Sequence, residues 1–281
     1  MQSGYFIRIK RGIKSSLPIQ TCLYIDKDKF EQKVHNIIIA EENSELNIIS
    51  GCLTEESVKQ AIHIGVSEIF VKRGAKLTFT MIHNWNVTIT VRPRTVIKVE
   101  AGGYFVSNYV CLHPVKDLQM YPVCFLAGEN AKASFNSLIY AHPKNKIDVG
   151  TRVFLKGKKS RAEVVSKIVC RQAKVINRGH LIGQGEKVKA HLDCGGLIIS
   201  KKGVIHAIPE IETRLADVDL THEAFIGKLS YEAVEYLMTR GLSQEKAISM
   251  LVTGFLDLSK FNLPKSVEEE ISKINFEGCL A

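Results

Sequence analysis

The feature that most constrains the fold is a stretch of about 160 residues, ending at residue 228, with short apolar runs and little helical periodicity. Turn residues interrupt these runs about every 8 to 12 residues, which predicts an all-β body: a sandwich, a barrel or a solenoid. Small residues recur beside the runs and suit closely stacked coils, although no strict repeat period selects the solenoid. The turn signals include Arg73-Gly74, Gly102-Gly103, Gly128-Glu129-Asn130, Gly157-Lys158-Lys159 and Lys201-Lys202-Gly203.

The first 45 residues have a mixed pattern and are interpreted as a flanking α/β segment (1–45). Tyr5, Ile7 and Ile9 alternate with more polar residues, which predicts a half-buried strand. The charged residues 27–44 favour a helix. The β-body is then expected to occupy residues 46–228.

One short helix is predicted inside the β-body. Thr54 has the side chain of an N-cap, and two glutamates follow it in the turn where the helix dipole favours acidic residues. This helix is expected to run to about His63 and to end at Gly65.

The period changes to 3.6 residues after Ser230, so residues 229–281 are interpreted as a helical domain. Ser230 and Ser243 predict the N-caps of two amphipathic helices, and Ser266 with Glu269 has capping-box spacing for a third. These helices form either a lid on the open end of the β-body, where strand edges need covering, or a module that binds a partner.

Charge and composition exclude several classes of protein. The net charge is +9, but the basic residues are spread along the chain and no nucleic-acid-binding motif is present, so we expect no nucleic-acid partner. No apolar run approaches the roughly 18 residues of a membrane span. The N-terminus lacks the pattern of a signal peptide, so we expect no membrane association and a cytoplasmic location. Seven dispersed cysteines, none in a CxxC pair, argue against a disulfide framework.

Residues suited to metal binding concentrate between His191 and Lys228. This stretch holds one thiol, several imidazoles and several carboxylates, which are ligands that transition metals take. No GxxxxGK[ST] motif is present, so any ATP would be handled by a partner. The candidate ligands are His191, Cys194, His206, Glu210, Glu212, His222 and Glu223.

A dozen short motifs in a fixed order make the chain resemble the SufB/SufD family from about residue 46 to residue 262. They begin with Ser50-Gly51-Cys52 and His83-Asn84-Trp85 and end with the segment from Tyr236 to Phe255. Between these lie Tyr121-Pro122-Val123-Cys124, Asp148-Val149-Gly150-Thr151, Cys194, His206-Ala207-Ile208-Pro209-Glu210-Ile211-Glu212 and His222-Glu223-Ala224. The chain is similar to a short, archaeal-type SufB-like subunit that lacks the long N-terminal helical region of larger members.

The resemblance implies a mainly β fold, a right-handed parallel β-helix core with C-terminal α-helices. It also implies a scaffold rather than an enzyme, on which an iron–sulfur cluster, [4Fe-4S] or [2Fe-2S], is assembled and passed to recipient apoproteins. The implied partners are a SufC-type ABC ATPase, bound through the C-terminal helices, and a second subunit bound through the β-helix.

The resemblance also implies roles for four residues. Cys194 takes the place of the cluster-site cysteine, and Gly195 and Gly196 would leave room beside it. His222 and Glu223 match positions implicated at the same site. Because adjacent side chains of a strand point to opposite faces, we expect two copies in a homodimer to share them. Larger members have a glutamate where this chain has Thr221.

Cys52 resembles the cysteine that receives persulfide sulfur, which would then pass through the β-helix interior to Cys194. The predicted helix after Cys52 would lower its thiol pKa.

Two alternative functions stay open from the residues alone: a β-solenoid enzyme that uses histidine and carboxylate as acid and base, and a zinc-binding interaction subunit.

Overall fold

The computed structural model describes residues 3–257, which wind into about eight stacked coils. Each coil contributes one strand to each of two sheets. The nine-stranded sheet contains, in spatial order, β1 (Phe6–Ile9), β3 (Phe30–Ala40), β5 (Ala61–Val71), β7 (Ile89–Val99), β10 (Val123–Leu126), β12 (Lys146–Leu155), β14 (Lys174–Gly183) and β16 (Val204–Thr213), with β9 (Asp117–Met120) beside β7 and β12. The eight-stranded sheet contains β2 (Ile19–Ile25), β4 (Glu45–Thr54), β6 (Lys76–Asn84), β8 (Tyr104–Cys111), β11 (Lys132–Ala141), β13 (Arg161–Cys170), β15 (Lys189–Ile198) and β17 (Asp219–Lys228).

Alternating side chains from both sheets fill the space between them. The strands named above pair in parallel and in register, so side chains from successive coils stack in columns at the strand spacing of about 4.8 Å. Two clusters of buried apolar residues run along this interior, and Ile69, Ile97 and Leu126 are examples of fully buried members. The chain is therefore a parallel β-solenoid, and the predicted fold class is confirmed.

The structure corrects the expectations for the N-terminal region. Residues 27–44 contain a strand, β3, and not a helix. Its charged residues Glu31 and Lys33 occupy alternate, outward positions, whereas Val34 and Ile38 point inward, so the period is two. The strands β1, β2 and β3 pair with those that follow, and the proposed boundary at residue 45 coincides with no break in the pairing.

The predicted helix after Thr54 is also absent. Thr54 is the last residue of β4, a turn follows, and residues from Ala61 onward form β5. The short range of the capping signal explains the error, because a serine or threonine before acidic residues is equally compatible with a turn between two strands.

Two helices follow the solenoid, α1 (Tyr231–Thr239) and α2 (Gln244–Leu256). Their predicted caps are confirmed, since the side chains of Ser230 and Ser243 accept hydrogen bonds from the backbone N–H groups of Ala233 and Lys246. The helix expected from Ser266 lies outside the described residues. Within residues 3–257, no helix is both long and apolar enough to cross a membrane.

The helices cover the side of the solenoid and not its open end, so the lid interpretation is wrong. Their apolar face packs on outward-pointing residues near the ends of strands of the eight-stranded sheet. Val234, Ile248 and Val252 supply this face and are buried, whereas Tyr236 and Met250 point away and are 58% and 61% exposed.

Candidate functional site

Cys194 lies near the C-terminal end of the solenoid, on the strand next to the last one of its sheet. Its side chain points into the interior and is 1% exposed. It stacks between Ser166 of β13 and Ala224 of β17. Burial, with a smaller contribution from the charge of Asp193, raises the pKa of the Cys194 thiol to about 11. The thiol is therefore protonated and shielded in this conformation.

His222 and Glu223 lie on β17, the edge strand that follows in the stack. His222 is level with Leu192, on the inward-facing side of the strand, and Glu223 is level with Asp193, on the outward-facing side. Both are exposed: no further coil covers His222, and Glu223 faces away from the interior. Since β17 is a regular strand, the side chains of His222 and Glu223 point to opposite faces. Residues 3–257 contain no group of three histidine, cysteine or carboxylate side chains that could hold a metal ion.

The other candidate ligands lie around this edge without joining Cys194. Thr221 is hydrogen-bonded to His191, with its Oγ1 2.8 Å from Nδ1 of the ring. His206, another of the candidate ligands, is exposed on β16. Glu210 and Glu212 are exposed on the same strand, and Oε2 of Glu212 lies 3.7 Å from Nε2 of His180.

The expected room beside Cys194 is already filled. A side chain at Gly195 would approach the Cδ and Nζ atoms of Lys167 to 3.0 and 3.1 Å on the outer face. A side chain at Gly196 would meet the Cδ1 atom of Ile205 at 2.9 Å in the interior. The glycines therefore permit close packing of the last coils, with Lys167 and Ile205 lying against them.

Cys52 is also enclosed, near the opposite end of the solenoid. Its side chain is 0% exposed, and its Sγ lies 3.6 Å from Sδ of Met81. Burial raises the pKa of the Cys52 thiol, and the helix that was expected to lower it is absent. The imidazole of His83 occupies the next position in the column and is hydrogen-bonded through Nδ1 to the hydroxyl of Tyr109.

Sequence reasoning missed a polar track between the two cysteines. One interior column of the eight-stranded sheet runs through Ser50, Met81, Tyr109, Ser137, Ser166 and Cys194. A cavity of about 50 Å³ adjoins its middle part, lined among others by Met81, Tyr109, Ser137 and Thr151. Because a water-sized molecule needs about 10–15 Å³, the cavity accommodates a few such molecules. Aligning the predicted strands by their inward positions would have revealed the column.

The end of the column nearest Cys194 contains a polar group without a partner. The hydroxyl of Ser166 is buried and makes no hydrogen bond within the described residues. Buried polar groups in native proteins are nearly always paired, so an orphan hydroxyl marks a position where a small polar molecule would be stabilised.

The C-terminal end of the solenoid is an open edge. β16 and β17 each pair on one side only, and their exposed apolar side chains include Ile211, Phe225 and Ile226. An unpaired strand edge with apolar side chains is a template for pairing with another chain. The fold and this edge together define a β-solenoid protein whose last coils carry a buried thiol beside exposed imidazole and carboxylate groups.

Comparison with known proteins identifies the family. The model of the SufBD core domain, described as SUF system FeS cluster assembly, matches residues 23–255. The chain therefore belongs to the SufBD family of iron–sulfur cluster assembly proteins, and the predicted resemblance is confirmed.

Individual relatives agree with this assignment. The chain is 51% identical over 271 residues to an iron–sulfur cluster assembly SufBD family protein of Archaeoglobus fulgidus, covering 96% of this chain and 73% of that protein. A SufBD family protein of Methanothermobacter thermautotrophicus is 44% identical over 272 residues, with 96% and 66% covered. The iron–sulfur cluster assembly protein SufB of Bacillus subtilis is 31% identical over 280 residues, with 98% and 60% covered. The chain thus spans about two thirds of the length of these relatives.

Proposed function

We propose that this chain is a scaffold on which an iron–sulfur cluster is assembled, with Cys194 as a ligand and His222 and Glu223 as further ligands. The observation that carries the proposal is the position of Cys194. The Cys194 thiol lies on β15, one coil inside the open edge. This strand pairs with β17, which carries His222 and Glu223. Thiolate is the usual protein ligand of iron–sulfur clusters.

Assembly would require the last coil to open. In the closed chain the thiol is buried beside Ala224, and its raised pKa keeps it protonated. Displacing β17 would expose Cys194 to water, lower its pKa towards the ordinary value of about 8.5 and let iron replace the proton. The closed chain protects the thiol, and the open chain would bind the cluster.

A second copy would complete the site. Two chains joined through the edges of β16 and β17 would form an isologous interface, in which each copy contributes the same residues. Because His222 and Glu223 project from opposite faces of β17, one copy would supply the imidazole and the other the carboxylate. The exposed apolar residues of the edge support this pairing.

Sulfur would reach the site through the interior. Cys52 would attack the outer sulfur of a donor persulfide near the other end of the solenoid and release the donor thiolate. The polar column with its cavity supports passage towards Ser166 and Cys194, where two electrons from an external thiol reductant would convert the sulfur to sulfide. Because Cys52 is fully buried, the first coils would have to open for a donor to reach it.

Opening would be driven by a partner that binds ATP. The chain has no P-loop motif, and α1 and α2 present exposed Tyr236 and Met250 as a docking surface for a SufC-type ABC ATPase. Hydrolysis would deform the helices and the coils beneath them, and the finished cluster would pass to recipient apoproteins.

Anaerobic reconstitution with ferrous iron and sulfide tests the proposal. We expect a broad visible absorbance and up to two clusters per pair of chains, one at each symmetry-related site, lost in Cys194→Ala and reduced in His222→Ala and Glu223→Ala. Cys124→Ala is the matched control, because Cys124 is equally buried but lies in the other sheet. An unchanged spectrum in Cys194→Ala contradicts the proposal, and colourless protein that binds stoichiometric zinc favours a zinc-binding subunit instead.

A further inference from the structure

A single lysine connects helix α2 to the strand of Cys194. Lys167 of β13 points outward, and its Nζ lies 3.0 Å from Oδ2 of Asp193, the residue before Cys194. The same Nζ lies 5.7 Å from the ring centroid of Phe255, in the last turn of α2. Both members of the ion pair are about three-quarters buried, so the contact is less screened than a surface pair.

Phe255 also contacts the edge strand. Its ring centroid lies 6.4 Å from that of Phe225, which is level with Gly195 on β17. Lys167 is level with Gly195 on the other side. The aromatic ring of α2 therefore contacts both neighbours of Gly195, and the absence of a side chain at this position lets Lys167 lie across the strand.

We propose that Lys167 is a positioning residue that couples helix α2 to the coil enclosing Cys194. With α2 seated, Phe255 holds Lys167 on Asp193 and holds Phe225 on β17, so the last two strands stay closed over the thiol. When α2 shifts, both contacts are lost together, and β17 is released from β15. The contacts that carry this inference are independent of the proposed function. Only the role of the coupling, which is to make access to Cys194 depend on the helices, rests on that function.

Peptide-resolved labelling of the whole chain with N-ethylmaleimide measures this coupling. We expect Lys167→Met, which keeps the aliphatic chain but removes the charge, and Phe255→Leu each to raise the labelling rate of Cys194 about five- to tenfold, since a partly buried cation–π contact and ion pair hold the closed state. The double variant should show less than the product of the two effects, because both substitutions break one connection.

Two controls separate coupling from general loosening. Lys156→Met removes a cation 5.1 Å from the Phe125 ring, on the other sheet and away from the helices, and should leave Cys194 unchanged. Cys124, which is 0% exposed, serves as an internal reference in every variant. A rise confined to Cys194 supports the proposal. An unchanged Cys194 rate, or equal rises at Cys194 and Cys124, overturns it.

The labelling requires neither iron nor an ATPase. Failure of reconstitution would therefore count against the scaffold proposal and leave the coupling intact. Successful reconstitution with unchanged labelling would overturn the coupling alone.

Discussion

At the residue scale, burial controls the chemistry of the interior. The Cys52, Cys111 and Cys194 thiols have raised pKa values because the thiolate would lose its hydration. The same effect lowers the pKa of His63 to about 4 and that of His83 to about 3, so both imidazoles are neutral in the folded chain. These buried thiols and imidazoles are therefore uncharged in the closed solenoid, among its apolar clusters.

Acid should destabilise the solenoid through these two histidines. In the unfolded chain their pKa is about 6.5, so between pH 6.5 and pH 4 the unfolded state binds more protons than the folded state. The free energy of unfolding is then highest above pH 6.5 and falls with decreasing pH by up to about 1.4 kcal/mol per unit for each histidine. Urea unfolding at pH 7 and pH 5 measures the difference.

His83→Gln should remove about half of this pH dependence. An equal pH dependence in the two proteins would show that other groups are responsible.

At the element scale, the turns and the outer helix face differ in how closely neighbouring elements pack on them. The turns stack so closely that a side chain at Gly157 would overlap the carbonyl group of Gly128 in the preceding coil. The helices use one face to bind the eight-stranded sheet and leave the other face exposed. Turn residues are therefore constrained by the neighbouring coil, whereas the outer helix residues are free to meet a partner.

Gly157→Ala should destabilise the protein by about 1–3 kcal/mol, because the added methyl group forces the backbone of two coils apart. Gly254→Ala is the contrasting variant, since nothing lies within 4 Å of a side chain at this helical position. It should be neutral or stabilising by up to about 1 kcal/mol. Thermal or denaturant unfolding compares them, and similar stability of the two variants would contradict the close stacking.

The outer helix face should decide ATPase binding. Replacing Tyr236 and Met250 by alanine removes two large exposed anchors without touching the buried face, so co-purification with a SufC-type ATPase should fall at least about tenfold. Deleting residues from 230 onward should abolish it. Tyr24→Ala, a change at a tyrosine of similar exposure on β2, is the control. Retained binding after the deletion would place the docking surface elsewhere.

At the scale of the whole molecule, the solenoid has strand edges at both of its ends. Strands between the ends satisfy one another's backbone groups, but β1 and β2 of the first coil and β16 and β17 of the last each have one unpaired side. An unpaired strand edge is a template for pairing with another chain, and at the C-terminal edge a second copy is the occupant that would also bring the ligand residues together.

Ile211→Glu should therefore weaken dimerisation. Ile211 is 38% exposed on the edge strand β16, and a charge there would lose hydration on pairing. Sedimentation velocity should show a shift towards monomer, and the cluster yield should fall with it. Val96→Glu, at a site 48% exposed on the outer face of the same sheet, should leave the oligomeric state unchanged. A dimer unaffected by Ile211→Glu would exclude this edge as the interface.

The sequence by itself determined much of the local structure. The two-residue alternation and the spacing of turns gave the all-β body, and the capping serines placed the starts of α1 and α2 correctly. The ordered motifs then singled out the family and selected a solenoid. In β3, however, outward-facing charged residues hid the period of two and led to a false helix.

Only the tertiary structure decided what surrounds each candidate residue. The sequence indicated Cys194, His222 and Glu223, but the stacking of coils buried the first, exposed the other two and filled the space beside Gly195 with Lys167. It also placed the helices on the side of the solenoid. The physical reason is range: alternation and capping depend on neighbours along the chain, whereas burial and pairing depend on strands about 30 residues apart, which no local pattern specifies.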